Sequence, residues 1–208
     1  MRENPDFAVD DVAALQDLIR VSPWATMVSA TDHGVVASHY PFVLDEQDPD
    51  GIVVMSHVGR PDERLHGLGE RELLVIFEGP YGYVSPSWYG TSPAVPTWNF
   101  AVVHGYGTPV LLGDDENLAV LERLVDHFED PLPDPFRMRR DELNAAYAER
   151  IVQGTVGFRM RLERCVAKNK MSQDKPAEVV DRVIIQLQQP GPYQNPRLAD
   201  WMLRTHGR

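Results

Sequence analysis

The sequence has a single cysteine, Cys165, among 208 residues. One thiol cannot close a disulfide within the chain, so a disulfide-stapled scaffold is excluded and a reducing compartment fits best. Long apolar runs are also missing. The longest are about six residues, against the ~20 that a membrane-crossing helix needs. The first twenty residues carry acids where a secretory signal has a basic stretch and an apolar core. These absences lead us to expect a cytoplasmic protein with no membrane segment. G-x-G-x-x-G, Walker A, H-E-x-x-H and G-x-S-x-G are absent as well. His33, His39, His57 and His66 lack the paired spacing of a zinc site, so no metal is expected.

Positive charge is scarce over the first two thirds. Residues 1–136 carry 6 basic and 23 acidic side chains, residues 137–182 carry 11 and 7, and the last 26 carry 3 and 1. A chain of net charge −11 repels nucleic acid at long range. Only 137–182 could offer a basic face, and its arginines are expected to be solvated or paired with the acidic half.

Apolar residues make up 43% and charged residues 25%, enough for a packed core in one domain, with or without a tail. Val12, Leu15, Leu18 and Ile19 share a helical face over residues 10–21, with Asp10 or Asp11 as N-cap and Pro23 as stop. Extended runs are expected at 24–30, 35–44, 52–57, 72–78 and 98–112, with turns at Asp32-His33-Gly34 and Asp48-Pro49-Asp50-Gly51. Residues 65–68 suggest a short helix, and 79–97 a long irregular binding loop rich in Gly, Pro and aromatics. An amphipathic helix is expected at 115–129 with Asp114 as N-cap, and a second at 139–151. One alternating strand is expected at 154–166, a helix at 176–188, and an extended tail ending in a short helix. Six or seven strands joined by turns argue for an antiparallel barrel with helical additions.

Three segments could carry chemistry. The corner Ser56-His57-Val58-Gly59-Arg60-Pro61 offers a hydroxyl and a forked cation suited to phosphate. From spacing alone, a surface arginine after a hairpin strand is the commoner case. Residues 84–89 and 95–100 alternate aromatics with hydrogen-bonding groups, suiting either a planar ring ligand or an aromatic core under a loop. The polar run 167–174 includes Lys170 and Ser172, which could complete an anion site or be a solvated loop. Cys165, beside Arg164 and Lys168, is read as a structural thiol.

Taken together, "ATMVS" with "SHYPFVLD", Ser56-His57 with Arg60, "LLVIFEGPYGYVSPSWY", "AVPTWNF", "VHGYG", "GTVGFRMRLER" and "KNKMSQDKP" resemble the PaiB family of FMN-binding proteins over about residues 5–185. The resemblance implies a mainly β, α+β fold, an FMN-binding split β-barrel similar to pyridoxine phosphate oxidase. It also implies a homodimer with FMN at the subunit interface. The expected domain is 1–188, with a C-terminal extension at 189–208. The cofactor-binding positions it implies are His39, Ser56, His57, Arg60, Thr97, Trp98, Asn99, Lys170 and Ser172. Pro61 stands where the oxidase motif has a lysine and His39 where it has an arginine, so fewer cations are available, and either Lys170 compensates or binding is weaker. The function implied is a negative transcriptional regulator or flavin-dependent sensor. An FMN-dependent oxidoreductase is the alternative, and a cofactor changed to deazaflavin or haem is a third reading. No helix-turn-helix with a basic recognition helix is present, so direct nucleic-acid binding is not expected.

Overall fold

The structure, a computed structural model, describes residue 1, residues 4–47 and residues 51–208. The turn expected at Asp48-Pro49-Asp50 lies outside the described residues. Among the described residues the chain forms nine strands and six α-helices.

Helix α1 (Val12–Arg20) is capped by the Asp11 carboxylate, which accepts from the Ala14 amide. The turn at residues 32–33 joins β1 (Trp24–Thr31) to β2 (Gly34–Pro41) in unbroken antiparallel register from Trp24↔Pro41 to Thr31↔Gly34. Then follow β3 (Val43–Leu44), β4 (Val53–Gly59), α2 (Arg60–His66), β5 (Leu73–Val84), β6 (Thr97–Gly107) and β7 (Val110–Leu111). The remainder is α3 (Asp114–Glu129), α4 (Glu142–Val152), β8 (Thr155–Arg161), β9 (Arg164–Lys170), α5 (Ala177–Gln188) and α6 (Pro196–Thr205). One sheet has the order β2-β1-β5-β6-β9 and the other β3-β4-β8-β7. The described pairings are antiparallel, as expected of strands linked by turns.

Several boundaries differ from expectation. Strand β5 continues through Gly79, Pro80 and Gly82, where a loop was expected. On the side facing β1 the ladder runs only from Leu73 to Ile76, so Pro80 interrupts no bond to β1. A Cβ on Gly82 would lie 2.8 Å from the Leu198 side chain, so glycine admits α6 there. The single strand expected at 154–166 is two. The chain leaves one sheet after Arg161 and joins the other at Arg164. Helix α2 begins at Arg60 itself, with Pro61 in its first turn, where proline's missing N–H costs nothing. Gly113, not Asp114, caps α3.

The chain divides into two compact units. The first comprises Met1–Leu18, Glu78–Val103 and Val166–Arg208, and the second Ile19–Phe77 and His104–Cys165. In the second unit α3 covers β4 and β8, and Val43, Met55, Val120 and Leu124 form a buried cluster. Phe42 meets Phe77 and Phe158 edge-on at 5.7 and 5.8 Å. The buried Asp45 carboxylate is held by Arg123 at 3.3 Å and Arg159 at 2.5 Å. In the first unit α5 packs on α6, burying Val180, Val183, Leu187, Leu198 and Met202.

Candidate functional site

In the second unit, β2, β4 and the start of α2 form a polar corner. Ser56 on β4 is fully buried, and its hydroxyl donates to the Pro41 carbonyl at 2.7 Å. His57 follows on the opposite face of the strand. Its buried Nδ1 has no hydrogen-bond partner, and burial pushes its pKa down. The His57 ring meets Tyr40 edge-on at 6.3 Å. Arg60 donates through Nε to the Gln153 carbonyl at 2.6 Å. Its remaining nitrogens reach Glu63 at 3.8 Å and Asp114 at 4.0 Å, beyond hydrogen-bonding distance. His39 projects from the other face of β2 to Tyr40, bonds Thr26 at 3.1 Å and stacks on Trp24. The structure therefore brings Tyr40, not His39, to His57.

A hydrogen-bonded chain behind this corner escaped the sequence analysis. Ser29 Oγ lies 2.6 Å from His66 Nδ1, and His66 Nε2 lies 2.9 Å from Ser38 Oγ. Ser38 and Tyr40 both donate to the Asp62 carboxylate, at 3.2 and 2.6 Å. His66 is fully buried, and desolvation pushes its pKa down, partly opposed by Asp62. The available signal was weak: Ser29 and Ser38 occupy alternate positions of two paired strands, and Asp62 and His66 are one helical turn apart.

In the first unit, β6 alternates. Thr97 and Asn99 face one side and Trp98 the other. The Lys170 ammonium donates to Thr97 Oγ1 and, at 3.0 Å, to the Trp98 carbonyl. Asn99 is fully buried and donates to Ser172 Oγ at 3.0 Å. Ser172 is itself buried and holds a left-handed φ of 64°, a conformation costing a non-glycine residue about 1 kcal/mol or more. Thr97, Lys170 and Ser172 line a cavity of about 340 Å³ under residues 89–97, closed on another side by the start of α5. Trp98 is half exposed and forms an aromatic ledge with Tyr81 and Tyr83, at 6.5 and 6.1 Å between ring centres. Of the nine expected residues, then, Thr97, Asn99, Lys170 and Ser172 come together within the first unit, and Ser56, His57 and Arg60 lie on one strand-to-helix junction within the second.

Two antiparallel sheets with peripheral helices are the architecture of the flavin-type split β-barrel proteins. The FAD and haem binding protein of Mycobacterium smegmatis has this fold at a TM-score of 0.57 and 15% identity, over 84% of this chain and 78% of that one. The flavocytochrome Anf3 of Azotobacter vinelandii has it at 0.55 and 13%, over 78% and 69%. Residues 1–164 match the family described as "Putative FMN-binding domain", and the chain belongs to that family. It is 30% identical to protease synthase and sporulation protein PAI 2 of Bacillus subtilis, over 88% of this chain and 86% of that protein. Family membership makes FMN, or a related flavin, the cofactor. The match ends at residue 164, so Lys170, Ser172, α5 and α6 lie beyond it.

The residues present fit such a group. A flavin nucleotide needs a cation for phosphate and an apolar face for its ring. Within the second unit, Arg60 has nitrogens held only by long ion pairs and His57 has a buried nitrogen without a partner, as an anionic group requires. No helix among the described residues is long and apolar enough to cross a membrane.

Proposed function

We propose that the protein is a cytoplasmic FMN-binding homodimer acting as a flavin-dependent sensor or negative regulator. The observation that carries this reading is the junction of β4 and α2, with the unpartnered His57 nitrogen beside a loosely held Arg60 guanidinium. Arg60 is the proposed phosphate anchor, since a dianion outcompetes carboxylates held at 3.8 and 4.0 Å. The arginines of residues 137–164 are engaged within the second unit: Arg137 with Asp126 and Asp130, Arg139 with Glu122, Arg159 with Asp45, and Arg164 over the Tyr106 ring. That engagement supports regulation through a protein partner rather than through direct contact with DNA.

The test is the visible absorption spectrum of purified protein with and without added FMN, together with FMN titration of Arg60→Ala. Losing one charge-assisted hydrogen bond costs about 1.5–3 kcal/mol, so FMN should bind roughly ten- to a hundredfold more weakly. Unchanged affinity would remove Arg60 as the anchor, and no flavin uptake in any redox state would end the reading.

A second reading, an FMN-dependent oxidoreductase, is favoured by His57 itself. An imidazole kept neutral by burial, with one nitrogen free, can accept a proton. Bound FMN would supply the redox-active ring. Rapid bleaching of the flavin by NADH or NADPH, followed by turnover of an acceptor, would select this reading over the sensor.

A further inference from the structure

The cavity of the first unit presents hydrogen-bond donors that its own chain leaves unused. Tyr89 is 5% exposed and lines the cavity, yet its hydroxyl has no hydrogen-bond partner. A buried hydroxyl left unpaired costs about 1–3 kcal/mol, which a ligand can recover. Lys170 spends two of its three N–H groups on neutral acceptors, Thr97 and the Trp98 carbonyl. Helix α5, of 12 residues, begins after Pro176, which cannot cap it; the Val179 and Val180 amides bond the Pro176 carbonyl, so only the Ala177 and Glu178 amides are left without a cap, and the positive end of the helix lies at the cavity's edge. All three features donate. The facing wall, built from Pro93, Val95, Pro96 and Val179, is apolar.

Charge narrows the choice of ligand. Asp174 pairs with Lys175 at 2.7 Å, leaving the Lys170 ammonium as the uncompensated charge of the lining. A net charge of about one suits a monoanion, and Asp174 would repel the second charge of a dianion. The volume, about 340 Å³, is roughly ten waters' worth at about 30 Å³ each, room for a small ring or short chain behind the anionic head.

We infer that this cavity is a second ligand site, binding a small monocarboxylate with an apolar body: the carboxylate lies against Lys170, Tyr89 and the start of α5, and the body lies against the proline-rich wall. Burial pushes the Lys170 ammonium down, and a bound anion would restore it. Thr97, Lys170 and Ser172 of this lining are also among the positions expected for the flavin, so the site is tested with and without FMN.

The experiment is calorimetric titration of the full chain with benzoate, phenyl phosphate and benzyl alcohol, first without FMN and then with FMN at saturation. Benzoate should bind in preference to the other two. Tyr89→Phe and Lys170→Met should each weaken it at least about tenfold, and Tyr89→Phe should leave the FMN spectrum unchanged. Failure of benzoate to bind at millimolar concentration would overturn the inference, as would preference for phenyl phosphate or an affinity unchanged from the native chain in either variant. Loss of benzoate binding when FMN is added would also overturn it, by making the cavity part of the flavin's own site. A protein that binds benzoate but takes up no flavin would defeat the flavin reading alone.

Discussion

At the scale of residues, the polar side chains buried in the second unit decide its response to pH and to substitution. His57, His66 and His104 are all pushed below the ordinary value of 6.5, chiefly by burial. The unfolded chain takes up these protons near that value while the folded chain resists. Their contribution to stability is therefore complete above about pH 6.5 and declines as the pH falls through it. Thermal melts should show a midpoint dropping between pH 7 and pH 5, with a shallower fall in His66→Phe. The same variant leaves the buried Ser29 hydroxyl without a partner, at a cost of about 1–3 kcal/mol, measurable by urea unfolding at pH 7.5. A melt independent of pH over that range would show that these imidazoles titrate alike in both states. The sequence displayed Arg60, Ser56 and His57 as a corner, because a strand ending in small residues before Gly59 is a local pattern. It did not display Ser29, Ser38, Asp62 and His66 as partners. Their meeting depends on strand register and helix placement, and no local spacing encodes either.

At the scale of elements, legibility followed periodicity. The stripe of α3 and the β-forming residues of β1 and β4 gave those elements to within about two residues, whereas the single run expected at 35–44 is two strands, β2 and β3, in different sheets. The change of sheet at residues 162–163 was hidden because burial keeps alternating through it: Met160 and Leu162 are buried, Arg161 and Glu163 exposed, and neither glycine nor proline marks the corner. Strand β5 was cut short for the opposite reason, since Gly79, Pro80 and Gly82 are turn residues by composition and strand residues by tertiary contact. Gly82→Ala tests that contact. Its Cβ would meet Leu198 at 2.8 Å and Asn195 at 3.1 Å, and Asn195 also holds the Tyr81 carbonyl. Overpacking of this kind costs about 1–3 kcal/mol, and amide exchange should quicken first in α6. Unaltered protection of α6 would mean that Leu198 yields without cost.

At the scale of the whole molecule, the chain carries a net charge of −11 but leaves an aromatic ledge in its first unit, with Tyr81 57% and Trp98 54% exposed. Adjacent half-exposed aromatics mark a surface that another molecule covers. A chain of 23.5 kDa is accordingly expected to elute at about twice that mass, and the dimer to persist in high salt, since apolar contact is not screened. A monomer at every concentration tested would remove the homodimer from the proposal. The fold class was legible because strand count and short turns admit few architectures. The division into two units was not, because β5, β6 and β9 each give residues to both.

The turn after β9 is tied to an optical probe already present in the chain. The Trp201 indole donates to Asn169 at 3.0 Å, and the Asn169 carbonyl in turn accepts from Gln173 at 2.6 Å. Any displacement of that turn must stretch the bond to the indole and alter its surroundings. The emission spectrum of the native protein minus that of Trp201→Phe thus reports on that turn in a cuvette with no engineered fluorophore, and a ligand against Lys170 and Ser172 is expected to change it.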